Sequence, residues 1–310
     1  MNPWLDSYGR LRSGWRFLLG VIVWFLANYI AIAIAGPLSH DRARYLDAMY
    51  RPLALLFLLA GFSFLLVTAD RVEGNPLPAL GLGRFPGWLR QLAIGLAIGA
   101  GLIAIAFACI AAFGNLREIK FTISNHSLEL ALVELMILAT GALAEELMFR
   151  GYPFQRLLES MPGAIAVLIM SVLFALAHWG NPHTSRMAMI NTAAVGVLFS
   201  VAYLRTRALW MPWGLHFAWN TALGMVFGLP VSGLTDFAVL VRTRATGPRW
   251  LTGGAYGIEA SALGLVVILL GFIPVLLVTR RKPQPVASSA QPAWDQQSSP
   301  DRPAAGGIQP

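Results

Sequence analysis

Of 310 residues, 56% are hydrophobic and only 12% carry charge, about half the charged share of an ordinary soluble domain. Such a composition excludes a soluble domain of any class, because outward-facing surfaces must be apolar as well, and only hydrocarbon tolerates that. The net charge of +8 does not mark a nucleic-acid partner: the arginines fall in short segments between apolar runs, where they meet headgroups, and no stretch interleaves dense Lys/Arg with aromatics.

The first apolar run, residues 15–35, follows Arg10, Arg12 and Arg16 and resembles a signal peptide only superficially. It has a full spanning length, and Ala35, Gly36 and Pro37 make no convincing cleavage site, so it reads as a retained helix. Asn28 within it reads as an interhelical hydrogen-bonding residue. A second run covers 53–69. Residues 74–87, rich in Gly and Pro, read as an interfacial loop before the third run at 89–113. That run carries Cys109, the single cysteine, which leaves no partner for a disulfide or a thiolate metal cluster and reads as a small buried hydrophobe.

Five more runs follow, at 128–147, 162–178, 187–204, 209–229 and 258–279. Pro153 is expected to kink or end the helix that begins in the fourth run, and a turn is expected at residues 160–163. Asn191 in the sixth run reads like Asn28. The segment 230–257, with Arg242, Arg244 and Arg249 set against Asp236, is the largest ordered loop expected. After Lys282 the chain is Pro, Ser, Gln and Ala, too poor in apolar surface to fold, so 283–310 is expected to be a disordered tail behind a single transmembrane domain, 1–282. The fold class is therefore all-α: a polytopic integral membrane protein of about eight transmembrane helices enclosing a polar chamber. Of the 23 Lys and Arg residues, 14 fall on the side shared by both termini and 9 on the other, which puts both termini in the cytoplasm of a multi-pass protein of the cell membrane.

Ionisable side chains inside apolar runs each cost at least about 2.5 kcal/mol at mid-membrane unless paired or wet, so they carry the information. Three clusters qualify: Glu145 and Glu146 with Arg150, His178 preceded by Phe174, and His216 with Asn220. Glu146 and Arg150, four apart, share a helical face and pair, whereas Glu145 points about 100° away and is the freer carboxylate. Phe174 and His178 share a face, as do His216 and Asn220. Measured from the turn at 160–163 at about 1.5 Å per residue, Glu145 and His178 reach similar depth and face each other, and His216 with Asn220 reaches the interior from a third helix.

Two histidines, a carboxylate and an amide converging in a membrane form the inventory for polarising water and stabilising an oxyanion. Nearly the same set could hold a metal, with Glu145, His178 and His216 as the ligands, and equally could relay ions in a transporter or proton-conducting protein. HExxH and GxSxG are both absent, and Ser171 and Ser200 read as small packing residues. Glu134, about three turns before Glu145, reads as a partner for a polar group or as a lining for water entry. His40, His126 and His183 fall in loops, of which only His183 has a small claim to function.

The three clusters, in order, are similar to the motifs of the CPBP/Abi intramembrane proteases, the type II CAAX prenyl endopeptidase and bacteriocin-processing family. Glu145–Gly151 resembles its EExxxRG motif, Phe174–His178 its FxxxH motif and His216–Asn220 its HxxxN motif, and the likeness covers roughly residues 128–229. It implies an endopeptidase acting on a membrane-associated protein or peptide, including a lipidated one. Glu145 and His178 would then activate water, His216 and Asn220 would stabilise the oxyanion, and Glu146, Arg150 and Phe174 would support them. On cofactors the resemblance leaves zinc and none both open.

Overall fold

The computed structural model describes residues 3–6, 9, 11–35, 44–69, 76–113 and 115–279. The tail 283–310 and His40 lie outside the described residues, as does part of the expected 74–87 loop. Each apolar run becomes a helix: α1 (Ser13–Ala35), α2 (Arg44–Ala69), a short α3 (Pro76–Ala79), α4 (Trp88–Ala112), α5 (Asn125–Phe149), α6 (Tyr152–Ser160), α7 (Gly163–Ala177), α8 (Arg186–Thr206), α9 (Trp210–Thr221), a short α10 (Arg249–Thr252) and α11 (Ala262–Val278). Side chains such as Phe25, Phe57, Leu168 and Leu269 stand more than half exposed on the outer surface, which in water would drive aggregation and in lipid does not.

Among the described residues, five helical segments are long and apolar enough to cross a membrane: Ser13–Ala31, Pro52–Ala69, Trp88–Ala112, Asn125–Ser160 and Arg186–Thr206. This is a polytopic helical membrane protein, and among the described residues five helical segments, rather than the expected eight, have full spanning length and apolarity. Helix α7 has 15 residues, α9 has 12 and α11 has 17, short of the ~20 that cross a bilayer. An all-α description is also incomplete. Strand β1 (Leu116–Phe121) pairs antiparallel with β2 (Val241–Ala245), Lys120 opposite Arg242 and Glu118 opposite Arg244. The second strand emerges from what read as a loop, since its five residues are mostly polar and their partner is far away in the chain.

Local chemistry sets the helix ends near the centre of the molecule. Ser124 caps α5 through a reciprocal box with Ser127, satisfying two amides that the first turn would leave unpaired. At its other end α5 stops at Phe149. Gly151 follows, where a Cβ would lie 2.1 Å from the Leu147 carbonyl oxygen, and Pro153 sits in the first turn of α6, where it needs no amide partner. The expected break at Pro153 thus falls a little earlier, and the chain turns at residues 150–151 before α6 begins.

In the bundle, α2 packs on α5, α7 on α8, α1 on α2 and α6, and α11 on α4 and α8. The closest pair is α4 with α9. A Cβ on Gly95 would sit 2.3 Å from the Met211 carbonyl oxygen, one on Gly99 2.2 Å from that of Leu215, and one on Gly214 2.5 Å from that of Leu92. With no side chains between them, the two backbones touch directly, as small residues permit in membrane helices. Helix α9 is held further by three indoles: Trp210 donates to the Gly83 carbonyl, Trp213 to that of Ala139 on α5, and Trp219 to the Glu259 carboxylate, each at 2.9 Å. The helix bearing His216 is therefore fixed on several sides.

Candidate active site

Two helix ends and the middle of a third helix meet at the site. The last turn of α5 carries Glu145 and Glu146, His178 caps the C-terminus of α7, and His216 lies in the middle of α9. Their base is a pair of charges with no exposed surface, Arg150 Nη1 donating to Glu146 Oε1 at 3.1 Å. Charge at such depth is tolerable only if its hydrogen-bonding capacity is used. Arg150 uses most of it: Nη2 donates to the Gly196 carbonyl at 2.9 Å, Nε reaches Ser200 Oγ at 3.4 Å, and the guanidinium lies 4.6 Å from the Phe174 ring centre and 5.1 Å from that of Phe199. Ser200, expected only to pack, is a ligand of Arg150 and itself donates to the Gly196 carbonyl.

Glu146 also accepts from His216 Nδ1 at 2.9 Å on the oxygen that pairs with Arg150, and Phe199 stacks on the His216 ring, 4.9 Å between centres. On the other wall, His178 Nδ1 lies 2.8 Å from the Phe174 carbonyl. A carbonyl only accepts, so that nitrogen carries the proton and, in the neutral ring, Nε2 presents a lone pair. Likewise the Glu146 contact places the His216 proton on Nδ1 and turns its Nε2 inward.

Both Nε2 atoms face Glu145 Oε2, at 3.8 Å from His178 and 3.7 Å from His216. Glu145 Oε2 has no hydrogen-bond partner among the described residues. These separations are too long for direct hydrogen bonds and suited to one bridging water. Three acceptor atoms converge here, so what stabilises the arrangement is a donor between them: a water, or a proton on one of the rings. The half-exposed Glu145 and the fully buried Glu146 thus occupy the separate environments expected from their 100° offset.

All this lines a cavity of about 380 Å³, which Asn220 also faces, one turn beyond His216. Its walls are largely apolar and include Trp24, Leu55, Leu138 and Phe237. Asn28 lines the cavity too, and its side chain bonds its own helix at Trp24 rather than a neighbour. Asn191 does join separate elements, donating to the carbonyls of Glu259 and Ser261. Glu134 is buried in α5 but does not line the cavity, and His183 is exposed beyond α7.

Glu145, His178 and His216 were expected to be the ligands if a metal is used. Among the described residues, no group of three or more His, Cys, Asp or Glu side chains is arranged to hold a metal ion. The expected ligand set of Glu145, His178 and His216 therefore has no support in this donor geometry.

Residues 127–222, less than a third of the chain, match the family described as type II CAAX prenyl endopeptidase, Rce1-like. A Bacillus subtilis protein, YdiL, described as a proposed membrane peptidase, is 34% identical over 92 residues, covering 29% of this chain and 36% of its own. The likeness thus spans about a third of that relative. No solved structure matches. The matched segment runs from the first turn of α5 to the end of α9 and includes Glu145, Glu146, Arg150, His178 and His216.

One cavity residue had no sequence signal. Glu259, in a short 3-10 turn ahead of α11, accepts from Trp219 and from Ser232. It lies outside the three motifs, and its position at the start of the apolar run 258–279, where a carboxylate is unusual, is the one signal that could have drawn notice.

Proposed function

We propose that this chain is an intramembrane endopeptidase that hydrolyses peptide bonds of a membrane-associated or lipidated protein or peptide. The observation that carries the reading is the convergence of His178 Nε2 and His216 Nε2 on Glu145 Oε2 at 3.7–3.8 Å. The match of residues 127–222 to a prenyl endopeptidase family model, and the likeness to a described membrane peptidase, support it.

In this reading a water held between Glu145 and His178 loses a proton to the Glu145 carboxylate as its oxygen attacks the scissile carbonyl carbon. The C=O π pair moves to oxygen. That oxyanion accepts hydrogen bonds from the Asn220 amide and from Nε2–H of a doubly protonated His216, whose Nδ1–H is held by Glu146. Collapse of the tetrahedral intermediate re-forms the C=O bond and breaks C–N, and the proton on Glu145 passes to the leaving amine. Arg150 neutralises Glu146, and Phe174 and Phe199 keep the pair dry. A single transmembrane domain with about eight helical passes, three of them shorter than the bilayer, would let water reach the site from one side.

An ion-coupled transporter is the alternative, and it draws less support: Glu134, its next carboxylate along α5, lies outside the cavity. The test is turnover of quenched peptide libraries by the protein in nanodiscs. Cleavage by the wild type that persists in Glu145→Gln and His178→Ala would reject the site. PH-dependent ion flux in proteoliposomes without cleavage would favour the transporter.

A further inference from the structure

The end of α9 is an unusual place to mount a reactive amide. Asn220 is the penultimate residue of the regular helix, and the chain passes at Ala222–Val226 into a π-helical turn, a form that occurs mostly as single turns at functional sites. Such an end needs an external brace. Trp219 Nε1 supplies the contact, donating to Glu259 Oε1 at 2.9 Å.

The second oxygen of Glu259 works on a different segment. It accepts from the backbone N–H of Ser232 and, at 3.2 Å, from the Ser232 hydroxyl. Ser232 has φ +48, the left-handed region that non-glycine residues avoid at a cost of about 1 kcal/mol or more. The loop it begins sends Val231, Leu234 and Phe237 into the cavity wall. Gly233 N–H donates to the Tyr256 carbonyl at 3.0 Å, and Asn191 holds the Glu259 carbonyl at 2.9 Å, so the carboxylate is itself fixed. Burial, with Glu259 beside it, pushes the Tyr256 hydroxyl above its usual range.

We propose that Glu259 is a positioning residue of the site: its carboxylate ties the end of α9, and with it Asn220, to the 231–237 loop that walls the cavity. The inference rests on the hydrolytic reading for its kinetic half. Glu259 touches no reacting atom in that mechanism and acts through Trp219 and Ser232. Both partners are donors, so Glu259→Gln, whose amide has one acceptor oxygen, satisfies only one of them.

Two readouts test this in nanodiscs. In hydrogen–deuterium exchange, Glu259→Gln is expected to speed exchange across residues 228–238 at least tenfold while β1 and β2 keep wild-type rates. In kinetics, Glu259→Gln and Trp219→Phe are each expected to lower kcat by about ten- to a hundredfold, the scale of a misplaced group, and the double variant should be no worse than the poorer single one. Unchanged loop exchange, wild-type kcat, or multiplicative losses in the double variant would overturn the proposal. Should Glu259→Gln fail to fold, Trp219→Phe alone decides by the same kcat and exchange measurements. A wild type without hydrolytic activity would instead reject the hydrolytic reading, and the exchange result would still decide whether the clamp exists.

Discussion

The two glutamates that stand side by side in sequence live in different physical worlds. Around Glu146 everything is closed: no exposed surface, a guanidinium at 3.1 Å, an imidazole at 2.9 Å, and aromatic rings over the cation. Around Glu145 everything is open by a fraction of an ångström, with two imidazoles that approach it without bonding and a cavity at its side. Both Glu146 contacts fall on Oε1, and its Oε2 is buried without a hydrogen-bond partner among the described residues; what separates the two carboxylates is that a buried ion pair is costly to disturb, while a carboxylate beside a cavity has room for chemistry. Under the hydrolytic proposal the division assigns stability to one residue and reactivity to its neighbour.

That contrast is open to direct attack. The largest expected effect is on turnover: Glu145→Gln should lower it by about 10²- to 10⁴-fold, the range for a lost general base, with the thermal unfolding midpoint close to wild type. If the midpoint collapses instead, Glu145 belongs with the closed half. Next, Glu146→Gln leaves Arg150 buried without its counter-charge and should cost about 3–5 kcal/mol of stability as well as activity. Adding Arg150→Met should return stability but not turnover, because His216 still lacks its carboxylate, and chemical denaturation of the single and double variants measures the difference.

A smaller effect is expected from Gly99→Ala. Its Cβ would lie 2.2 Å from the Leu215 carbonyl oxygen, so α4 and α9 must part, at a cost of about 1–3 kcal/mol, and His216, the next residue, moves with them. Unfolding and turnover should fall together; a loss of stability alone would show that α9 tolerates displacement. The smallest is Ser200→Ala, which removes the 3.4 Å contact with Arg150. It should cost about 1 kcal/mol and leave turnover unchanged, sharpening the border between the two halves.

What could be read from sequence follows from the range of the interactions involved. A four-residue spacing on a helix places Glu146 against Arg150 and turns Glu145 away, because 3.6 residues make a turn wherever the helix sits. The approach of His178 to Glu145 needed only the length of a hairpin. The bond from Glu146 to His216 spans 70 positions, and that from Arg150 to Gly196 spans 46. No local period encodes either, so Glu146 could be recognised as paired but not as doubly engaged. The β1–β2 pairing and the Glu259 clamp escaped for the same reason. Hydropathy located all eight apolar helices, yet it could not separate a helix that spans from one that stops short, since lipid and protein interior select the same side chains.

The small sheet also bears on the order of assembly. In its register, Glu118 meets Arg244, so when the first strand leaves the ribosome its partner is still unsynthesised and α5 to α9 lie between them. Closing so long a loop carries an entropic cost that only packed intervening helices reduce. The two strands are therefore expected to join late, after α5 to α9 have packed, and protection of the β1 amides in a newly made chain would report the closing of that loop.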